Sequence, residues 1–242
     1  AQNCNLVVCF HPILVAGLKK IPGKNYVARA IIKAIKNDNA IYAVHTALDN
    51  HKDGVNKIFC NALELINTKV LIPKLNFIHK LVTYTVPENA AVIRTALFEA
   101  GAGNIGNYDN CSFSSNGIFT YKGNELSNPV IGEKGKLHTG EEIKIEVIFE
   151  KHLESKILKA LFTAHLYEEV AYEIYVMQNS HQNIGLGMIG ELATPMNGIE
   201  FLNHVKNKMQ ADGIRHSVFL EKPIKKVAVL GGSGSYAIKN AI

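Results

Sequence analysis

Apolar residues recur along this chain in two periods, and the places where one gives way to the other mark its elements. Leu6-Val-Val-Cys-Phe10 is a continuous apolar run closed by His11-Pro12, and Ile41-Tyr-Ala-Val44 is a second, preceded by the polar turn Lys36-Asn-Asp-Asn39. Both read as short buried strands. Between them Tyr26, Val27, Ala30, Ile31, Ala34 and Ile35 recur at helical spacing after Asn25, a suitable N-cap, and Asn37-Asp-Asn39 ends the helix. A second helix is predicted over 54–63, with Val55, Ile58, Phe59, Ala62 and Leu63 as its inner face. Thr68 to Ile72 reads as a strand and Pro73 to Asn76 as a linker.

From Phe77 the pattern changes. His79 to Val86 alternates like a strand, and Pro87 opens a helix whose first turn carries Glu88. Its apolar stripe is Val92, Ile93, Ala96, Leu97 and Ala100, with Gly101 just past its end. Tyr108 to Ser114 and Ile118 to Tyr121 are predicted as two strands around a hairpin at Ser115-Asn116-Gly117, because Asn-Gly tolerates positive φ. Lys122 to Gly140 is polar and Gly-rich, a mobile loop. Glu142 to Phe149 alternates cleanly, with Ile143, Ile145 and Val147 inward, and a helix from Leu153 to Ala164 and a strand from Val170 to Val176 follow. This set approximates a split βαβ sandwich of the ferredoxin-like kind.

After Gln178 to Asn183 the chain returns to its first pattern. Gly185 to Glu191 is a glycine-interrupted strand, Ile199 to Met209 a helix, and Lys225 to Leu230 a strand running into Gly231-Gly-Ser-Gly-Ser235. The predicted fold class is α/β (α+β): a core formed by residues 1–76 and 178–242, with a ferredoxin-like domain inserted over 77–177.

Composition narrows the function classes. At 242 residues, 47% hydrophobic and 19% charged, the chain can bury substantial cores and is not generally disordered. The net charge of +5 is mild and its lysines are dispersed, so no nucleic-acid partner is expected. No apolar run reaches membrane-spanning length and Ala1-Gln-Asn-Cys4 lacks a basic n-region, so neither a membrane partner nor a signal peptide is expected. Cys4, Cys9, Cys60 and Cys111 lack metal-finger spacing. Cys9 and Cys60 fall in apolar patterns and read as reduced core thiols of a cytoplasmic protein.

Candidate chemistry gathers at the strand exits. In a βαβ unit both carboxyl ends reach one edge, where ligands bind in α/β sheets, and there stand His11, His45 and Asp49. An imidazole and a carboxylate so placed share a metal ion or a proton. The plainer alternative is that His45 ends a strand and Asp49 caps the next helix. Gly231, Gly232, Ser233, Gly234 and Ser235 form a glycine-rich turn before a helix N-terminus, a ready anion site or simply a close turn. The turn lacks the Lys-Ser/Thr ending of a P-loop, so ATPase chemistry is not implied.

The segment Cys9-Phe-His-Pro-Ile-Leu-Val-Ala-Gly-Leu-Lys-Lys-Ile21, with His45-Thr-Ala-Leu-Asp49 and Gly54-Val-Asn56, resembles the NIF-three-like dinuclear-metal family. Its bacterial members are catalogued as GTP cyclohydrolase I type 2 homologues. The resemblance implies that His11 is the second of two histidines before the proline, that Asp49 is the carboxylate shared by two metals, and that His45 lines the same pocket. Phe10 stands where the family has its first metal histidine, and Ala47 where it has Asn. The family's last His and Glu ligands and the stretch before Ala1 are not in this sequence. Residues Ala100 to Tyr108 and Ala164 to Tyr172 resemble the PII-like inserted domain of some members. There a Gly-rich loop beside His165, Glu168 and Glu169 either binds a small ligand or merely turns the chain.

Two functions follow as expectations. One is a hydrolase of a nucleotide-like or phosphorylated small molecule, using a divalent metal (zinc, iron or manganese) at His11 and Asp49. Its occupancy is expected to be partial, with His45 as proton shuttle and Gly231 to Ser235 as phosphate cradle. The other is a non-catalytic assembly or ligand-sensing protein that kept the fold. The resemblance implies a ring-like homo-oligomer, a hexamer.

Overall fold

The computed structural model describes residues 4–219 and 221–242; Ala1 to Asn3, part of the stretch read as lacking a leader, lie outside them. The chain divides into two compact units, Ala1–Pro73 with Gln182–Ile242, and Lys74–His181.

The first unit opens with β1 (Leu6–Cys9), α1 (Tyr26–Lys36) and β2 (Ala40–Ala43). β1 and β2 pair in parallel from Leu6↔Ala40 to Cys9↔Ala43, so the segment is a βαβ unit. Asn25 caps α1, its side-chain oxygen accepting the Ala28 N–H at 2.8 Å, worth about 1 kcal/mol. Lys33 and Lys36 in the last turn suit the negative end of the helix dipole. The strands are less buried than their apolar runs suggest: Val8 is 61% exposed and Tyr42 59%. A two-stranded sheet with α1 against it has too little partner surface to cover both faces.

Next come α2 (His45–Asn50), α3 (Val55–Ala62) and β3 (Ile66–Lys74). The inner face of α3 is rotated from the predicted one. Ile58 is exposed, whereas Asn56 and Cys60 are buried. β3 runs through Pro73, which was expected to begin a linker. β3 is an edge strand, where a missing N–H costs no ladder bond.

The second unit consists of β4 (Ile78–Thr85), α4 (Pro87–Glu99), β5 (Phe113–Tyr121), β6 (His138–Glu150), α5 (Glu154–Ala164) and β7 (Tyr172–Val176). The sheet order is β5-β6-β4-β7, antiparallel throughout, which is the ferredoxin-like arrangement. Leu81, Ile145, Ile93, Leu97, Ile157 and Leu161 are fully buried where α4 and α5 cover one sheet face. The hairpin expected at Asn116-Gly117 does not form. β5 continues straight through, with Asn116 opposite Ile143 and Gly117 opposite Glu142. The long partner strand β6 supplies a register that outweighs the local turn preference.

On the other sheet face Glu146 accepts from Lys80 at 3.0 Å and also pairs with Lys144. The hydrogen bond from Lys144, then that from Lys80, holds the Glu146 carboxyl below its usual range.

The chain then returns through β8 (His181–Met196), α6 (Gly198–Lys208), β9 (Ile224–Val229) and the single turn α7 (Ile238–Ala241). β8 is the centre of the sheet β3-β8-β9. At Gly185 a Cβ would lie 2.2 Å from the Ile72 carbonyl oxygen, so the approach to β3 requires glycine. Cys60, Leu63, Leu65, Met188, Leu192 and Val227 form this unit's core. Asn197 and Glu200 make a reciprocal capping box on α6. His204 on the same helix reaches the Leu63 carbonyl at 3.1 Å. The whole is a mixed α/β fold.

Two outcomes are expected. Residues 74–181 expressed alone should unfold in one cooperative thermal transition, and Ile145→Ala should cost that unit about 2–5 kcal/mol by chemical denaturation. Because its pKa is depressed on folding, Glu146 stabilises the unit above its ordinary value of 4.5 and that contribution is lost as the pH falls. Glu146→Gln should therefore flatten the stability profile below that pH.

Candidate metal centre

The βαβ register explains how the first candidate residues meet. Beyond the strands the ladder continues: Val44 N–H donates to the Cys9 carbonyl at 3.0 Å and His45 N–H to the Phe10 carbonyl at 2.9 Å. Continuing the count from Cys9↔Ala43 sets His11 level with His45. Their ring centroids are 5.4 Å apart. Phe10 stands edge-on to both, at 4.9 Å from His11 and 5.6 Å from His45. A phenyl ring thus sits against two imidazoles and brings no lone pair.

His45 has a φ of 26°, a region L-residues rarely occupy and one that costs about 1–3 kcal/mol. The strain arises where the chain turns directly from the ladder into α2. Asp49 lies one helical turn beyond His45 on α2, so it does not cap the next helix, whose N-cap is Gly54. Its Oδ1 is buried without a protein hydrogen-bond partner. An orphaned buried carboxylate oxygen is costly, and a cation is the natural way to satisfy it.

Asn56, whose role the sequence reading missed, fixes this corner. It is 1% exposed; its Nδ2 donates to the Asp49 carbonyl at 2.9 Å, and its Oδ1 accepts the Gly231 N–H at 2.8 Å. An Asn among the apolar residues of α3 was the available signal. Gly54 lets the α2–α3 corner close, since a Cβ there would lie 1.8 Å from the Leu48 carbonyl oxygen. In the glycine-rich turn Gly231 is thus engaged, and Gly234 N–H donates to the Gly232 carbonyl at 3.0 Å. The turn leads into a 3-10 stretch, Gly234–Ala237, and then into α7.

Among the described residues no three His, Cys, Asp or Glu side chains converge to hold a metal ion. The two imidazoles are neighbours and Asp49 Oδ1 is orphaned, but the three do not form a converging trio; a pair of donors supplies part of a coordination shell, not a closed one. In the second unit His165 is structural. Its Nδ1 accepts the Tyr167 N–H at 3.1 Å, which leaves Nε2 to donate to the Tyr84 carbonyl at 2.9 Å. The glycine-rich stretch after α4 is a turn, with Gly103 N–H bonded to the Ile148 carbonyl.

Residues 1–242 match the sequence profile of Duf34/NIF3 (NGG1p interacting factor 3). The chain belongs to the Duf34/NIF3 family. It is 40% identical over 241 residues to the GTP cyclohydrolase 1 type 2 homolog of Bacillus subtilis, and 41% identical to that of Halalkalibacterium halodurans. Each alignment covers 99% of this chain and 65% of the relative, so the chain spans under two thirds of their length. A Bacillus cereus protein related to NIF3 has a similar structure, with a TM-score of 0.77 and 42% identity over 98% of this chain and 63% of that one. The Duf34/NIF3 chain described here has no helix among its described residues long and apolar enough to cross a membrane.

Asn56→Ala should leave the Asp49 carbonyl and Gly231 N–H unpaired and cost about 1–3 kcal/mol by urea denaturation. A loss within the error of the measurement would show that the corner is held elsewhere.

Proposed function

We propose that this protein is a divalent-metal-dependent hydrolase acting on a nucleotide-like or phosphorylated small molecule. The observation that carries the reading is the buried, unpartnered Asp49 Oδ1, one helical turn from a His45 ring that neighbours His11. Family membership and relatives named GTP cyclohydrolase 1 type 2 homologs support it. His11 and Asp49 would hold the ion; imidazole and carboxylate suit zinc, iron or manganese. When bound, the ion supplies Lewis-acid polarisation of an oxygen. His45 accepts and releases the proton, a task suited to imidazole at neutral pH. Gly232, Ser233 and Ser235 face the phosphate, Gly231 and Gly234 being otherwise engaged. Asn56 is a positioning residue that keeps the turn beside Asp49. The working form is a cytoplasmic homo-oligomer, a hexamer.

A second reading, a ligand-sensing or assembly protein without catalysis, is favoured by the absence of a converging donor trio among the described residues. Metal titration separates the two. Isothermal titration of the chain with zinc and with manganese should give weak binding of one ion, strengthened by Phe10→His and abolished by Asp49→Ala. Tight binding of two ions per unmodified chain would mean the donor set is larger than described. Binding indifferent to Asp49→Ala would discard the site, and metal binding without turnover on phosphorylated substrates would favour the sensor.

A further inference from the structure

The second unit contains a cavity of about 670 Å³, within the range of small-molecule sites. It lies on the sheet face opposite α4 and α5. Ser115, Gly117, Phe119 and Tyr121 alternate along β5 beside Glu142 and Lys144 of β6, while Val130 and Ile131 of the following loop form an apolar wall. Gly117 explains the space. It pairs directly with Glu142, and no heavy atom lies within 4 Å of where its Cβ would be. The strand remains regular and a side chain's volume is left open above the sheet.

The polar groups around that space are unequal in number and sign. Glu142 is 7% exposed and accepts the Tyr167 hydroxyl at 2.8 Å. Tyr167 is immobilised at its backbone too, through its N–H to His165. Burial first, then the Glu142 carboxylate, and finally Tyr121 nearby, push the Tyr167 phenol well above its usual range, so it stays a donor to Glu142. The Tyr121 hydroxyl is buried with no protein partner. Glu168 and Glu169 stand at the rim, and Glu168 accepts the Asn128 N–H, tying the loop across the cavity. The only lining cation among the described residues, Lys144, is already paired with Glu146.

We propose that this cavity is a binding site for a small organic cation: an amine carried on a flat apolar body. The ammonium donates to Glu142 and to the Tyr121 oxygen, and the carboxylates at the rim raise its local concentration. Phe119 and Tyr121, stacked nearly parallel at 5.8 Å, offer ring faces to the cation. The apolar body lies over Gly117 against Val130 and Ile131. An anionic ligand would meet three carboxylates and no unpaired lining cation. The site involves neither His11 nor Asp49, and it stands or falls apart from the metal reading.

The test uses the whole chain with 2-phenylethylamine, its anionic counterpart 3-phenylpropionate, and isothermal titration at neutral pH. The amine should bind saturably, one per chain, and at least tenfold more tightly than the carboxylate. Glu142→Gln should weaken it at least tenfold. Tyr121→Phe, which removes one hydroxyl and keeps the ring, should weaken it severalfold. Gly117→Leu fills the space and should abolish binding with the thermal transition preserved. Equal or tighter binding of the carboxylate, or amine affinity unchanged in both Glu142→Gln and Tyr121→Phe, would overturn the proposal. So would absence of saturable amine binding; a Gly117→Leu chain that then sediments as a smaller species would show the face to be a contact between copies.

Discussion

A buried primary amide has four hydrogen-bonding positions and cannot leave them empty cheaply, and this requirement at Asn56 organises the first unit. Its nitrogen takes the carbonyl of Asp49 and its oxygen the N–H of Gly231, residues far apart in the chain. One side chain on α3 thereby fixes the end of α2 and the start of the glycine-rich turn at once. Because both partners are backbone groups, what is held is the path of the chain, and the side chains of Asp49 and the turn's serines remain available for chemistry. A hydrophobic residue there would leave two part-buried backbone groups unpaired, so packing alone could not replace it.

The imidazole pair depends on a different constraint, the parallel register. His11 and His45 are level because β1 and β2 continue two rungs past their last strand residues, and the cost falls on the strained φ of His45. The candidate centre thus combines a ladder that aligns two rings and an amide that steadies the carboxylate's helix. His45 and Asp49 stand on α2, while His11 lies in the bend after β1, kept level with His45 by the ladder.

Local signals were the ones the sequence made readable. Asn25 and Pro87 mark helix starts, and the alternation of Ile143, Ile145 and Val147 marks the core-facing side of β6, each through interactions within a few residues. Failures occur where a distant partner decides. Asn116-Gly117 would turn in isolation, but β6 pairs with it and the strand runs on. Ile58 and the apolar strands β1 and β2 are more exposed than their periodicity suggests, because burial depends on what packs alongside. At the site, residue types and register pointed to His11, His45 and Asp49. Nothing in one dimension says whether donors converge, or that Asn56 has a partner 175 positions away.

The second unit leaves the first at the end of β3 and rejoins it at the start of β8, and those two strands are hydrogen-bonded neighbours. To the surrounding sheet the whole ferredoxin-like unit is therefore a hairpin connection of unusual length. Chain-closure entropy grows only logarithmically, about 0.6 kcal/mol for each doubling, so the host sheet is nearly indifferent to how much chain the connection contains. Such a position accepts an entire domain, or gives one up, without changing a strand. It is a graft point, where evolution can exchange modules while the histidines and carboxylate keep their places.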